Sequence, residues 1–471
     1  MENNQQSLNI FERLNRWIQE SITVKLFSIG FLVLILLIPS AWINDLIVER
    51  EVRAGGVMQE VYQKWSGSQT LSGPILVIPY RKFEKIDRGK QGTEIIESVE
   101  KYFFLPEKLR VTGEVTPRIL HRGIFDAAVY NSSLTITSDF AKPNLSELGI
   151  QEEHVLWKDA YMVFSISDLR GISDNPVFKV GDRVKETEPS SDLGFSIQEN
   201  YVASTGDYYA TASAAAPLPT CRGIVAKLNW TTANDFTEHT SITLSLKGSK
   251  NLSFLPTGKT TEVKLSGAWA NPSFDGDFLP DDREITESGF SAQWKILHFN
   301  RPFSQQWTGN NQISGSNFGV NLLIPVDQYQ KSMRTSKYGQ LVIILTFVAL
   351  FLVEIIRKIR IHPFQYILIG VALIIYYTLL LSISEQLGYN LAYGIASLAT
   401  VGLISFYSAS FLRGKKLVAL LSMLLCIFYG FIFIIILQQD FSLLLGSVGL
   451  FLIVAALMYF SRKVEWYKET V

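Results

Sequence analysis

The stretch LVEIIRKIRIHPFQY, residues 352–366, sets Arg357, Lys358 and Arg360 between two long apolar runs. On one side residues 338–353 carry no charge; on the other, residues 361–384 carry none beyond the titratable His362. Runs of this length match the ~20 apolar residues that cross about 30 Å of hydrocarbon. A helix of that length in a soluble protein would show a polar face. The cations therefore read as a short loop between two membrane spans, and the other connections decide which side the loop faces.

Further uncharged runs occupy residues 26–43, 386–412, 417–439 and 441–461, which makes six spans, one near the start and five near the end. Three Lys or Arg precede the first run (Arg13, Arg16, Lys25), and three lie in the opening stretch. There are none in 382–390, three in 412–416 (Arg413, Lys415, Lys416), none in 438–440, and three in the tail, beginning with Arg462 and Lys463. Cationic loops stay in the cytoplasm, whereas long domains are exported regardless of charge. The alternation predicts cytoplasmic termini and a periplasmic segment of residues ~45–335. A signal peptide has a shorter apolar core, ~7–15 residues, so the first run reads as an uncleaved anchor. Pro39, near its outer end, is expected to kink the span without abolishing it.

The expected layout is a cytoplasmic segment 1–25, a first span 26–43, an exported domain 44–337 and a C-terminal bundle 338–461. The bundle's five spans are placed at 338–356, 363–384, 390–412, 417–437 and 441–460, with a cytoplasmic tail at 462–471. The exported domain opens with a charged helical extension, 44–65, expected to break at Gly55-Gly56. After it the period changes to two. PILVIPY (74–80), SLTITSDF (133–140), YMVFSI (161–166) and SITLSLKGSKNLSFLP (241–256) alternate or run apolar between Gly, Pro, Asn and Ser, and the last is expected to turn at Lys247–Gly248. Such runs indicate antiparallel strands. The fold class is thus an α+β membrane protein with a mainly antiparallel, sandwich-like exported domain. One lobe, or two meeting near residues 217–219, would both fit.

Charge excludes some functions. From residue 338 onward there are 9 basic and 5 acidic residues, while residues 44–337 hold 31 basic and 35 acidic. A weakly acidic, scattered domain offers no footprint for nucleic acid. Cys221 and Cys426 fall in different regions, so no intrachain disulfide is expected. The five histidines are dispersed, no cofactor is expected, and there is no Gly-x-Ser-x-Gly elbow. PTGKTT (256–261) mimics a phosphate loop but has Ser253 where the first glycine belongs, and reads as a hairpin turn. FDGDFLPDD gathers Asp275, Asp277, Asp281 and Asp282, a weak calcium candidate beside the plainer reading of a solvated turn. Within the spans, ionisable residues are functional candidates. Glu354 sits one turn before Arg357 and Lys358, which would pair with it. Glu385 has no Lys or Arg in its loop; water, or Lys331, Arg334 or Lys337 at the same outer surface, would compensate it.

Five segments in order resemble the CreD family of bacterial inner-membrane proteins, the cell envelope integrity group: LSGPILVIPY (71–80), FSISDLRGI (164–172), LPTGKTTEVKLSGAWANPSFDGDFLP (255–280), IPVDQYQKSMRTSKYGQL (324–341) and RIHPFQYILIGVALIIYYTLLLSISEQ (360–386). In the family the last block commonly ends Ser-Glu-His, whereas Gln386 follows Glu385 here, which puts a Glu-His proton relay in doubt. The resemblance implies an envelope stress role under a two-component system, with colicin tolerance and altered β-lactam response, and supplies no reaction. The leading expectation is a non-enzymatic protein held in the lipid bilayer whose exported domain binds an envelope protein, lipid or cell-wall component. The alternative is a transporter or lipid-handling protein with Glu385, Tyr376, Tyr377, Asn390 and Tyr393 lining a polar path, although no inverted repeat is evident. An exported hydrolase lacks a recognisable nucleophile and base.

Overall fold

The computed structural model describes residues 22–87, 93–145, 149–198, 221–309, 312–322, 324, 327–357, 359–412, 414–438 and 441–462. Lys358, Arg413, Lys463 and the 217–219 lobe boundary lie outside the described residues. The chain divides into two compact units, Met1–Gly55 with Val326–Val471, and Gly56–Pro325.

The first unit is helical: α1 (Ile22–Trp65, whose last turns belong to the second unit), α2 (Asp327–Arg357), α3 (Pro363–Leu387), α4 (Tyr389–Ser408), α5 (Lys415–Leu437) and α6 (Ser442–Ser461). Helices α1 to α5 are long and apolar enough to cross a membrane, and α6 is apolar along Leu444–Tyr459. Apolar side chains such as Phe31, Leu398, Phe406 and Phe451 point outward, while Thr346 and Tyr376 are fully buried. That inversion suits helices whose solvent is hydrocarbon, where close packing and interior hydrogen bonds hold the bundle. Gly370 of α3 permits one close approach. A Cβ there would lie 2.3 Å from Leu36 Cδ1 of α1 and 3.0 Å from Phe347 Cζ of α2.

Helix α1 runs through Gly55-Gly56 and keeps Pro39 inside it, so the break expected from sequence does not occur. Each glycine costs a helix only about 1 kcal/mol, and the charged, straight-chain residues around the pair favour the helix. The opening motif of α3 is a cap: His362 Nδ1 accepts from Phe364 N at 3.2 Å, Gln365 Oε1 accepts from His362 N at 3.0 Å, and Pro363 takes the first helical position.

The second unit is a β-sandwich of mixed sheets. One sheet runs in the order Pro272–Gly276, Phe318–Leu322, Asn251–Phe254, Gln69–Asp87, Tyr161–Ile166, Gly223–Lys227, Thr187–Ser190, with Thr93–Phe104 and Gln306–Thr308 branching from Gln69–Asp87. The other runs Asp282–Thr286, Gly289–Leu297, Thr260–Gly267, Lys108–Arg122, Phe125–Asp139, His239–Ser249, Val177–Val180, Arg183–Lys185. Most neighbours are antiparallel, but Gln69–Leu71 pairs in parallel with Leu252–Phe254, and Thr260–Gly267 with Lys108–Val115. The inward positions of both sheets form one core around Tyr130, Trp294 and Phe318.

Two turns read from the sequence differ. Strand His239–Ser249 continues through Lys247 and Gly248, and the chain turns at Lys250, where φ is +60°. PTGKTT is no hairpin, because the strands it joins, Asn251–Phe254 and Thr260–Gly267, belong to opposite sheets. Both are crossings between layers. Turn residues reveal that the chain bends, not which sheet receives the next strand.

The end of α1 is fixed to this sandwich. Tyr62, with Met58, Val61 and Trp65, packs on Ala127, Val129 and Leu120. Asp168 accepts from Ser66 Oγ at 3.2 Å and Gly67 N at 3.0 Å, and is paired with Arg170 at 2.8 Å. The Arg170 guanidinium, against the cost of partial burial, holds the Asp168 carboxyl down to about 2. Arg170 Nη1 in turn donates to Gln63 O at 2.8 Å, and fully buried Gln69 donates to Ser66, Asp168 and Lys247. The FSISDLRGI block is thus a clasp on the helix end.

Candidate functional site

The polar groups of the helical unit fall into three levels. At the end of α2, Glu354 is 3% exposed. Its Oε1 accepts from Lys25 Nζ of α1 at 2.7 Å and from Ile361 N at 3.3 Å, and its Oε2 accepts from Tyr366 OH of α3 at 3.0 Å. Its cation is Lys25, 329 positions away; Arg357 is exposed, and Lys358, the other partner expected from sequence, lies outside the described residues. A carboxylate out of water needs such compensation, and three donors provide it.

At the other end of α2 and α3, Glu385 is half-buried and accepts from Tyr329 OH at 3.1 Å. Tyr329 is 1% exposed, and Arg50 of α1 acts electrostatically on its hydroxyl. Lys331 sets its ammonium 5.9 Å from the centre of the Tyr389 ring, and Arg334 and Lys337 are exposed. In the structure Glu385 thus takes a hydrogen bond from a tyrosine. The two carboxylate levels lie about 37 Å apart along α2, from its 1.5 Å rise per residue.

Between them lies a tyrosine cluster. Tyr376 packs on Tyr429 at 4.6 Å, Tyr377 at 4.8 Å and Tyr393 at 5.9 Å between ring centres. Tyr393 OH donates to Tyr429 O at 2.7 Å, Ser397 Oγ to Tyr376 OH at 3.5 Å, and Thr335 Oγ1 and Tyr389 OH share a bond of 2.6 Å. Tyr376, Tyr377 and Tyr393 were expected on a polar path; Asn390 is exposed and stands apart. Sequence reading missed Lys25, Tyr329, Tyr366, Tyr389 and Tyr429. The available signal was tyrosine recurring inside apolar runs, where an OH must find a partner.

The acidic turn disperses. Asp275 accepts from Gly276 N and Asn321 Nδ2, Asp277 from Ser316 N, Asp281 from Lys295 N at 2.7 Å, and Asp282 begins an exposed strand. Among the described residues no three His, Cys, Asp or Glu come together as a metal site. Arg360, Lys415, Lys416 and Arg462 are exposed at helix connections, and neither cysteine is in a disulfide.

The model of the family described as inner membrane protein CreD matches residues 21–467. The chain is also 32% identical over 446 residues to Inner membrane protein CreD of Escherichia coli (strain K12), covering 94% of this chain and 93% of that one. That extent takes in the apolar helices and the β unit together, and so this chain belongs to the CreD family of multi-pass inner-membrane proteins.

Proposed function

We propose that this CreD-family chain is a non-enzymatic envelope-integrity protein, with cytoplasmic termini and a periplasmic β unit that binds an envelope protein, lipid or cell-wall component. The observation that carries this reading is a projecting ribbon. From Arg81↔Val99 to Asp87↔Thr93, strands Gln69–Asp87 and Thr93–Phe104 pair with each other, beyond the registers of their other strand neighbours. Phe83, Ile95, Ile96 and Val99 are 44%, 61%, 37% and 60% exposed there. Phe83, Ile95 and Val99 share one face, beside the Arg81–Glu97 pair at 3.5 Å. Exposed apolar side chains on a ribbon with open edges mark a surface suited to a partner.

Two experiments test the proposal. Replacing Phe83, Ile95 and Val99 by serine should leave protein level and melting near wild type, since exposed substitutions change stability by about 0.5 kcal/mol or less. It should abolish the protein's contribution to colicin tolerance and β-lactam response. Unchanged phenotypes would remove the ribbon from the function. For topology, with Cys221 and Cys426 replaced, single cysteines at Lys337 and Gln438 should react with an impermeant thiol reagent in spheroplasts and one at Gly414 should not. The buried tyrosine cluster favours the second reading, a transporter or lipid-handling protein.

A further inference from the structure

We propose that the partner of the β unit is a protein segment that lays apolar side chains along the ribbon and seats a lysine or arginine in an acidic cleft at the ribbon's root. The inference rests on the ribbon reading above and deepens it, giving the partner a chemical class and a second point of contact.

Beside the first ribbon residues the chain makes two short helical turns, Glu152–His154 and Trp157–Asp159. Between them Val155 bridges Tyr80, and Leu156 N donates to Pro79 O at 2.9 Å. This segment is therefore fixed where the ribbon leaves the sandwich. His154 packs its ring on Phe83, with 4.8 Å between centres. Phe83 lies diagonal to both Ile95 and Val99, so one strip of exposed apolar surface leads along the ribbon to His154. Glu153 and Glu152 stand next in the chain, and both are exposed.

Here the surface falls into an open cleft of about 520 Å³, lined by Gln151, Glu152, Glu153, Trp157, Thr231 and Thr232. Its walls are held in place. Trp157 is buried beside Trp230, with ring centres 6.3 Å apart. Asp235 Oδ2 accepts from Thr231 N and Thr231 Oγ1 at 2.6 Å and from Thr232 N at 2.9 Å. Asp235 is thereby committed to its own turn, and Arg183 acts on it electrostatically. The ribbon's carboxylates are paired as well, Glu97 with Arg81, and Glu84 and Glu100 with Lys82. Glu152 and Glu153 differ: neither makes an ion pair among the described residues.

That chemistry separates the partner classes. Two carboxylates without a cation repel an anionic lipid headgroup and attract a basic group. Trp157 is only 8% exposed, so its indole leaves no ring face on which a sugar could stack. A lysine or arginine side chain satisfies the carboxylates, and a protein segment joins it to apolar neighbours a few residues away.

The test uses the full-length protein in nanodiscs of zwitterionic lipid and a random dodecapeptide library. Peptides enriched on the wild type should combine lysine or arginine with apolar residues. One of them, synthesised, should bind Glu152→Gln/Glu153→Gln about tenfold more weakly and with less dependence on salt. The reversal Glu152→Lys/Glu153→Lys should enrich acidic peptides instead. Both glutamates are exposed, so neither change should disturb the fold. Enrichment without a charge preference, or of the same peptides on the reversed variant, overturns the cleft. So does a muramyl disaccharide or phosphatidylglycerol whose binding is lost in Glu152→Gln/Glu153→Gln. In cells, the reversal should impair colicin tolerance and β-lactam response as the serine-substituted ribbon does. If only the ribbon variant is impaired, the ribbon reading stands and the cleft falls; if neither is, both fall.

Discussion

Lys25 and Glu354 form the most consequential pair at the scale of single residues, because the carboxylate is nearly inaccessible and the ammonium is only 29% exposed. Removing one partner leaves a buried charge, which is worse than removing both. Lys25→Met should therefore destabilise the detergent-solubilised protein by roughly 1–3 kcal/mol, with the lower end set by the lysine's access to solvent. The double variant Lys25→Met/Glu354→Gln should recover part of the loss in a thermal melt. Equal melting of the single and double variants would mean that the pair contributes nothing. The sequence showed Glu354 as unusual but did not point to Lys25 as its partner. Local spacing always offers a candidate one turn away, whereas a cation on another helix can be recognised only when the packing is known.

Among the elements, the helices were the most legible, because an uncharged run long enough to span a bilayer has few alternative fates. Their contacts were not. Gly339 and Gly370 look like any glycines in an apolar run, yet each permits a close approach between helices. Gly339→Ala and Gly370→Ala should lower the melting temperature, whereas Gly394→Ala, where nothing lies within 4 Å of the new methyl, should leave it unchanged or raise it. The strands were legible by their alternation, but the crossings at Lys250 and at PTGKTT were not, since a turn's chemistry is the same whether the next strand stays in its sheet or leaves it. The tyrosine cluster was half legible. Tyr376, Tyr377 and Tyr393 stood out, while Tyr429 became significant only once α5 was placed against α3.

For the whole molecule, the division into two units predicts that residues 56–325 fold as an isolated β domain with a cooperative melt. A fragment beginning at residue 67 lacks Met58, Val61, Tyr62 and Trp65, and with them the patch on Ala127 and Val129. It should be less stable by roughly 3 kcal/mol, seen as a melt several degrees lower. Equal melting of the two fragments would make the α1 contact incidental. The parallel pairings also impose an order in time. Leu71 meets Ile166 on one side, but residues 69–71 gain their parallel neighbour on the other only after residue 254 has been made, and the strand beyond that is Phe318–Leu322, the last of the sandwich. At synthesis rates of about 5–20 residues per second, the first strand waits roughly 10–50 s for that closure. Throughout that delay its apolar face and unpaired edge are available to any other chain nearby. Chains truncated before residue 318 should therefore be degraded rather than accumulate, as a pulse-chase measurement would read.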